Sequence, residues 1–95
     1  IANDAAAVAD GIAIYDSYGA GGWGTVGGTS AAAALIAGIF GLAGDATRQD
    51  GGRTFWLQKH HRHLYTPGGR CYAGYGYGQY NECVGWGTPD GIGAF

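Results

Sequence analysis

The longest apolar stretch of the chain runs from Ala31 to Ala43 and contains no charged or polar side chain. Alanine and leucine favour helix, and the run is apolar on every face, so it predicts a helix that is buried all round. It is shorter than the roughly 20 residues needed to cross a bilayer, and we expect no membrane partner. Thr29 or Ser30 is a natural N-cap, because a hydroxyl there accepts hydrogen bonds from first-turn N–H groups.

Two shorter segments before this helix have the character of strands. Gly11 to Tyr15 is rich in isoleucine and lies between two aspartates, which is typical of a buried strand. A turn-forming segment follows it, and residues 23–27 are predicted to form a second strand. Strand, turn, strand and helix in this order indicate an α/β unit.

The second half of the chain predicts one more helix and a long loop region. Gly44 suits a helix end, since glycine readily adopts the left-handed conformation found there. Residues 54–65 predict a second helix, which ends before Pro67. The side chains expected to face a core are Trp56, Leu57, His60 and Leu64, and Lys59 and Arg62 are expected to point outward. Residues 68–95 are rich in glycine and tyrosine, and we interpret them as an ordered loop region.

Composition limits the kind of protein. The 95 residues make one domain at most, spanning 1–95. Charged residues are only 13% and glycines number 21, whereas a self-sufficient domain carries about 25% charged residues. We therefore expect either the interior of a larger domain or a chain that associates with copies of itself. It begins at Ile1 and contains no methionine, so we expect a processed chain, a fragment, or a chain whose start was not captured. A mature or excised piece of a secreted protein has this character.

Charge and histidine spacing argue against two kinds of partner. The net charge of −2 disfavours nucleic acid, although all basic side chains and histidines lie between residues 48 and 70. His60 and His63 are three residues apart and could share a helix face. A structural zinc site needs four ligands, and the sequence offers no matching set, so we predict no metal site.

Ser30 admits two roles. One is the helix cap described above, which spacing alone favours. In the other, a serine at a helix N-terminus lies near the positive end of the helix dipole and near unpaired N–H donors, which suits a nucleophile whose oxyanion they stabilise. Gly27 and Gly28 lack side chains, so a substrate backbone can come close. Together with Thr29 they are the candidate substrate-binding residues.

The residues around Ser30 resemble a known family. Residues 28–31, Gly-Thr-Ser-Ala, followed by a small-residue helix, are similar to the nucleophile segment of the subtilisin and sedolisin serine peptidases. Residues 11–19 and 21–23 resemble the strand and turn before the serine in sedolisin-like bacterial enzymes. The closing segments of that group resemble Leu64-Tyr65, Cys71 and residues 85–91. The resemblance covers nearly the whole chain, but only the C-terminal part of the family's catalytic domain.

This resemblance implies a fold and a role for Ser30. The fold is a partial subtilisin-like parallel-sheet domain of the α/β class, with a buried helix after the Gly-Thr-Ser motif and a Gly/Tyr-rich C-terminal loop region. Ser30 is then the acyl-enzyme nucleophile, with Gly28 and Thr29 in the segment that positions it. The family's base, orienting residue and oxyanion-hole residue come from earlier in the domain and are missing here.

The sequence also departs from the family pattern. Ala34 stands where the family usually has proline early in the nucleophile helix. Thr66 and a glycine within 74–78 stand where sedolisins have calcium-binding aspartates, so we expect no calcium site. The two cysteines, Cys71 and Cys83, form an even count, which in a secreted chain favours one disulfide.

Two functions from different classes follow. In the first, the chain is the C-terminal segment of a secreted serine endopeptidase. It acts on peptide or protein substrates, needs no cofactor, and is inactive without the upstream portion of the domain. In the second, it is a non-catalytic, secreted, Gly/Tyr-rich structural module that self-assembles, because cutting a parallel sheet leaves unpaired strand edges.

Overall fold

The structure, a computed structural model, describes residues 3–19, 21–57, 63–66 and 76–95. Its regular elements are short, apart from one helix. They are, in chain order, β1 (Ile12–Asp16), β2 (Gly22–Val26), α1 (Thr29–Ala43), a 3₁₀ turn (Ala46–Arg48), α2 (Arg53–Leu57), β3 (Leu64–Thr66), β4 (Gly76–Tyr77) and β5 (Thr88–Pro89).

Strands β1 and β2 form an antiparallel ribbon in which Tyr15 lies opposite Trp23. In the turn between them, one carboxylate oxygen of Asp16 accepts hydrogen bonds from the N–H groups of Tyr18 and Gly19, at 2.9 and 3.1 Å. Such side-chain bonds to the following backbone are how aspartate favours turns. Both predicted strands are therefore confirmed.

The predicted burial of β1 is wrong. Its residues alternate between half-buried and exposed, and none is buried. Among the described residues no layer covers the outward face of this two-stranded ribbon, so Ala13 and Tyr15 are exposed. A continuous apolar run favours a strand covered on both faces, but the run does not show whether a second covering layer exists.

Helix α1 begins after Gly28, which occupies the cap position with φ 127° and ψ 156°. The prediction that Thr29 or Ser30 caps the helix is wrong, since both residues lie inside it and no side chain makes a cap hydrogen bond. Glycine adopts a φ of this value without strain and other residues do not, so the backbone conformation at this position favours glycine. Gly44 ends the helix with φ 80°, as predicted.

The prediction that α1 is buried all round is also wrong. No residue of α1 is buried. Ile36 and Phe40 are half-buried against the core, whereas Leu42 on the other side is 77% exposed. The helix thus has neighbours along one side only within the described part of the chain.

The core is aromatic and lies in the second half of the chain, around Phe55, Leu64 and Ala94. One cluster consists of Phe40, Phe55 and Phe95, whose ring centroids are 4.7 to 5.8 Å apart. A second consists of Trp56, Tyr80 and Trp86, at 5.1 to 5.8 Å. Because Phe55 and Trp56 are adjacent on α2, the short helix joins the two clusters.

Strand β3 is central in a three-stranded antiparallel sheet, with Tyr65 opposite both Tyr77 of β4 and Thr88 of β5. The predicted helix over 54–65 is therefore correct at its start and wrong at its end. Leu64 and Thr66 are buried and Tyr65 is exposed, which is the two-residue period of a strand. Of the side chains expected to face the core, Leu64 does, Trp56 and Leu57 are exposed, and His60 lies outside the described residues.

Every strand pair in the described residues is antiparallel. The expected parallel sheet is not among them, and the partial subtilisin-like domain stays a prediction. The N-terminal segment is bound to the C-terminal turn instead, since the Asp4 carbonyl accepts from Trp86 N–H at 2.9 Å and Ala6 N–H donates to the Gly87 carbonyl at 3.0 Å.

Candidate functional site

Ser30 is the second residue of α1 and is exposed. The first N–H groups of a helix have no intrahelical acceptor. Ala31 N–H bonds the Gly28 carbonyl at 3.0 Å, whereas the N–H groups of Thr29 and Ser30 have no backbone acceptor among the described residues. Two donors and the positive end of a 15-residue helix therefore lie beside the Ser30 hydroxyl.

The two glycines before the helix differ in their surroundings. A Cβ at Gly28 would meet no atom within 4 Å, so the space over this residue is open. A Cβ at Gly27 would lie 3.0 Å from the Ala9 carbonyl oxygen and 3.0 Å from an Asp10 carboxylate oxygen. The absence of a side chain at Gly27 thus lets residues 9–10 pack directly against its backbone. Gly28 N–H holds them there by donating a 2.6 Å hydrogen bond to the Ala9 carbonyl.

Thr29, the third candidate substrate-binding residue, lines a pocket of about 300 Å³ between α1 and the N-terminal segment. Its other walls are apolar for the most part and include Ala5, Ala9 and Ile36. The substrate-binding role of Gly27, Gly28 and Thr29 stays a prediction. Of the three, Gly28 has the open space that a close backbone approach needs.

The described residues do not bring a base to Ser30. None of their hydrogen bonds reaches its hydroxyl. Asp10 is the carboxylate beside the Gly27–Gly28 turn, and it accepts from Gly11 N–H at 2.8 Å. His63 lies elsewhere, with its imidazole against Gly93, while His60 and His61 lie outside the described residues. Among the described residues, therefore, no carboxylate or imidazole hydrogen-bonds the Ser30 hydroxyl, and the nucleophile role of Ser30 stays a prediction.

A second pocket, of about 340 Å³, was not expected from the sequence. Its walls include Ile36, Phe40 and Phe55, and Asp4 stands among them. Asp4 accepts a 2.5 Å hydrogen bond from the indole N–H of Trp56. No local sequence pattern signals this partner, which is 52 residues away along the chain.

The remaining expectations concern cysteines, metals and membranes. Cys83 lies in the described C-terminal turn and Cys71 outside the described residues, so their disulfide stays a prediction. Thr66, at the family's calcium position, donates its hydroxyl to the Gln79 carbonyl. The described side chains include no group of three metal-binding residues. No helix within the described ranges has the length and apolarity to span a bilayer.

Comparisons with protein-family models, with curated proteins and with solved structures find no match to this chain.

Proposed function

We propose that Ser30 is the nucleophile of an acyl-transfer site, and that the chain is the serine-bearing C-terminal segment of a secreted serine endopeptidase. The observation that supports this best is the position of Ser30. The residue is exposed at the start of the one long helix, and its hydroxyl is not used as a helix cap. Helix capping, the alternative role of Ser30, is therefore not made by its hydroxyl in the described structure.

The surroundings of Ser30 suit the chemistry of peptide cleavage. The hydroxyl attacks the peptide carbonyl, the proton passes to a base, and the carbonyl oxygen becomes negative. The N–H groups of Thr29 and Ser30, together with the helix dipole, favour negative charge at this place. The base then returns the proton to the leaving amine, and the acyl group remains on Ser30 until water releases it.

The proposed reaction needs a base, and none of the described side chains hydrogen-bonds the Ser30 hydroxyl. We propose that the upstream portion of the same domain supplies it, and that the isolated chain has no peptidase activity of its own. The incomplete burial of α1 and of the β1–β2 ribbon supports this proposal, because a larger domain would cover both.

The experiment uses a base from solution in place of the missing one. The chain has two serines, Ser17 and Ser30, and both are exposed. It is treated with an activated phosphonate or ester in concentrated imidazole, and intact mass and peptide mapping give the rate at each serine. Ser30 is expected to react about tenfold faster than Ser17, because one preorganised oxyanion donor alone is worth about a hundredfold in a closed site.

Ser30→Ala should abolish the fast reaction and Ser17→Ala should leave it unchanged. Equal rates at the two serines in folded protein would contradict the proposal, since the start of α1 would then provide no stabilisation.

The second candidate function is self-assembly without catalysis. It is favoured by the exposed aromatic pair Tyr15 and Trp23, whose ring centroids are 5.5 Å apart. Apolar surface of this kind marks an interaction site when it is contiguous. This candidate predicts assembly together with no difference in reactivity between the two serines.

A further inference from the structure

The pocket that contains Asp4 lies on the core side of α1. Its walls come from the N-terminal segment, from α1 through Ile36 and Phe40, from the turn at residues 51–52 and from α2 through Phe55. Ile36 and Phe40 pack against the core, so these walls are in place without further polypeptide over the other side of the helix. The volume of about 340 Å³ is at the lower end of the range for small-molecule sites.

One charged side chain stands in this pocket among apolar neighbours. Of the described residues that line it, only Asp4 is charged. The Oδ1 atom of Asp4 accepts the indole N–H of Trp56 at 2.5 Å. No hydrogen bond from the described residues reaches its Oδ2 atom, and no described cationic side chain forms an ion pair with it. The indole therefore holds the carboxylate in place and leaves one of its oxygens to a ligand.

Gly52 keeps space for this carboxylate. A Cβ at Gly52 would overlap the Oδ2 atom of Asp4. Gly52 has no positive φ, so its backbone conformation suits other residues, and it is the carboxylate that leaves room for glycine alone. Because Gly52 also lines the pocket, the Oδ2 atom lies at the pocket wall.

These groups select the chemistry of a ligand. An ammonium group donates up to three hydrogen bonds and has the charge opposite to that of Asp4. Phe40 and Phe55, whose ring centroids are 5.8 Å apart, offer apolar surface that a hydrocarbon body would bury. An anion would be repelled by Asp4, and a neutral ligand would leave the carboxylate without a cation.

We propose that this pocket binds a small primary amine in its ammonium form, with an aromatic or aliphatic body. The ammonium group lies against the Oδ2 atom of Asp4, and the body lies against Phe40 and Phe55. This proposal does not depend on the chemistry of Ser30.

The test is a titration of the pure chain with phenethylamine, followed by proton–nitrogen NMR. A saturable shift of the Trp56 indole N–H and of the Gly52 amide is expected in the low-millimolar range, with the indole signal assigned through Trp56→Phe. Phenethyl alcohol has the same body without the charge. It should bind about tenfold more weakly, because a hydrogen bond between charged groups is worth more than one to a neutral group.

Asp4→Asn is the decisive variant, because the asparagine carbonyl still accepts from the Trp56 indole while the charge is removed. This variant should bind phenethylamine and phenethyl alcohol equally. Glu82→Gln, at an exposed position, removes the same charge elsewhere and should keep the preference for the amine. No saturable shift, equal binding of the two compounds by the unchanged chain, or a preference that survives Asp4→Asn would overturn the proposal.

Two further arms test the fit of the ligand. Gly52→Ala displaces the Oδ2 atom of Asp4 and should weaken phenethylamine more than phenethyl alcohol. N-acetyl-lysine amide carries the same ammonium on a polypeptide unit and should bind more weakly than phenethylamine, since it has no ring. Tighter binding of the lysine amide would assign the pocket to a polypeptide and overturn the small-molecule ligand. Asp4→Asn should leave the reaction rate of Ser30 unchanged, so a failure here is distinct from a failure of the catalytic proposal.

Discussion

The two halves of the molecule use regular structure and burial in opposite ways. Residues 11–44 contain the ribbon and the long helix, yet no described residue from 3 to 52 is buried. Residues 53–95 contain only short elements in their described part, and all the buried residues lie between 54 and 94. Regularity of the backbone and formation of a core are therefore separate properties in this chain.

The difference has a physical cause. The first half gains its structure from local hydrogen bonds and from a run of helix-favouring residues, which require no distant partner. The second half gains its structure from aromatic side chains that meet across large separations in sequence, as Trp56, Tyr80 and Trp86 do. A half that is regular but uncovered is expected where further polypeptide, or a second copy, completes the layer.

The largest expected effect comes from removing the centre of the core. Phe55 is 3% exposed, and Phe55→Ala should lower the free energy of unfolding by about 3–5 kcal/mol. Urea unfolding followed by tryptophan fluorescence gives the value. The matched variant in the other half is Leu42→Ala, which should change the free energy by less than about 0.5 kcal/mol in the monomer. Equal losses would contradict the division between the halves.

Next in size is a substitution at Gly87. This glycine has φ 95°, and a Cβ there would overlap the Tyr65 carbonyl. Gly87→Ala should cost about 2–3 kcal/mol, because backbone strain and displacement of β3 add. Gly24→Ala in β2 is the control, since a Cβ at Gly24 would meet nothing within 4 Å. The melting temperature should fall for the first variant and stay or rise slightly for the second.

A smaller effect is expected at the contact between Asp4 and Trp56. Asp4→Ala should cost about 0.5–1.5 kcal/mol, the net contribution of a typical hydrogen bond, because Trp56 is 45% exposed and water can replace the lost acceptor. A double-mutant cycle with Trp56→Phe separates the hydrogen bond from the other contacts of each residue. Additive losses would show that the bond contributes nothing to stability.

The smallest effect is expected on the ribbon. Trp23 is 76% exposed and contacts Tyr15 on the neighbouring strand, so Trp23→Ala should cost about 0.5–1 kcal/mol. Unfolding should be measured at low protein concentration, where assembly is least. A loss as large as that of Phe55→Ala would show that the ribbon is covered in solution, and the comparison between the halves would fail.

The local elements were largely predictable from sequence, and the covering of each element was not. Both strands of the ribbon, the helix and its end at Gly44 follow from patterns within a few residues. The burial of α1 did not follow, because an apolar run predicts what a helix would bury and not whether a partner is present. Leu64 was assigned to a helix although it lies in a strand, since its sheet partners come from residues 76–89.

For the candidate site, the sequence located Ser30 at the start of the helix but assigned the cap to a hydroxyl. The cap is Gly28, which has a positive φ and whose N–H donates to the carbonyl of Ala9, 19 residues earlier. The hydrogen bond between Asp4 and Trp56 joins residues 52 apart in sequence, so no local pattern predicts it. Resemblance to serine peptidases suggests a role for Ser30, and only chemistry at that residue tests it.

The contacts of the N-terminal segment with the C-terminal turn have a consequence for folding kinetics. Asn3 donates from its amide to the carbonyls of Glu82 and Cys83, which are 79 and 80 residues away. Contacts between residues so far apart in sequence form slowly, because the long loop between them must close before the contact contributes to stability. The ribbon and α1 depend on local contacts, so they are expected to form before the aromatic residues of the second half complete the core. The chain is therefore expected to need protection from aggregation during this interval more than after it.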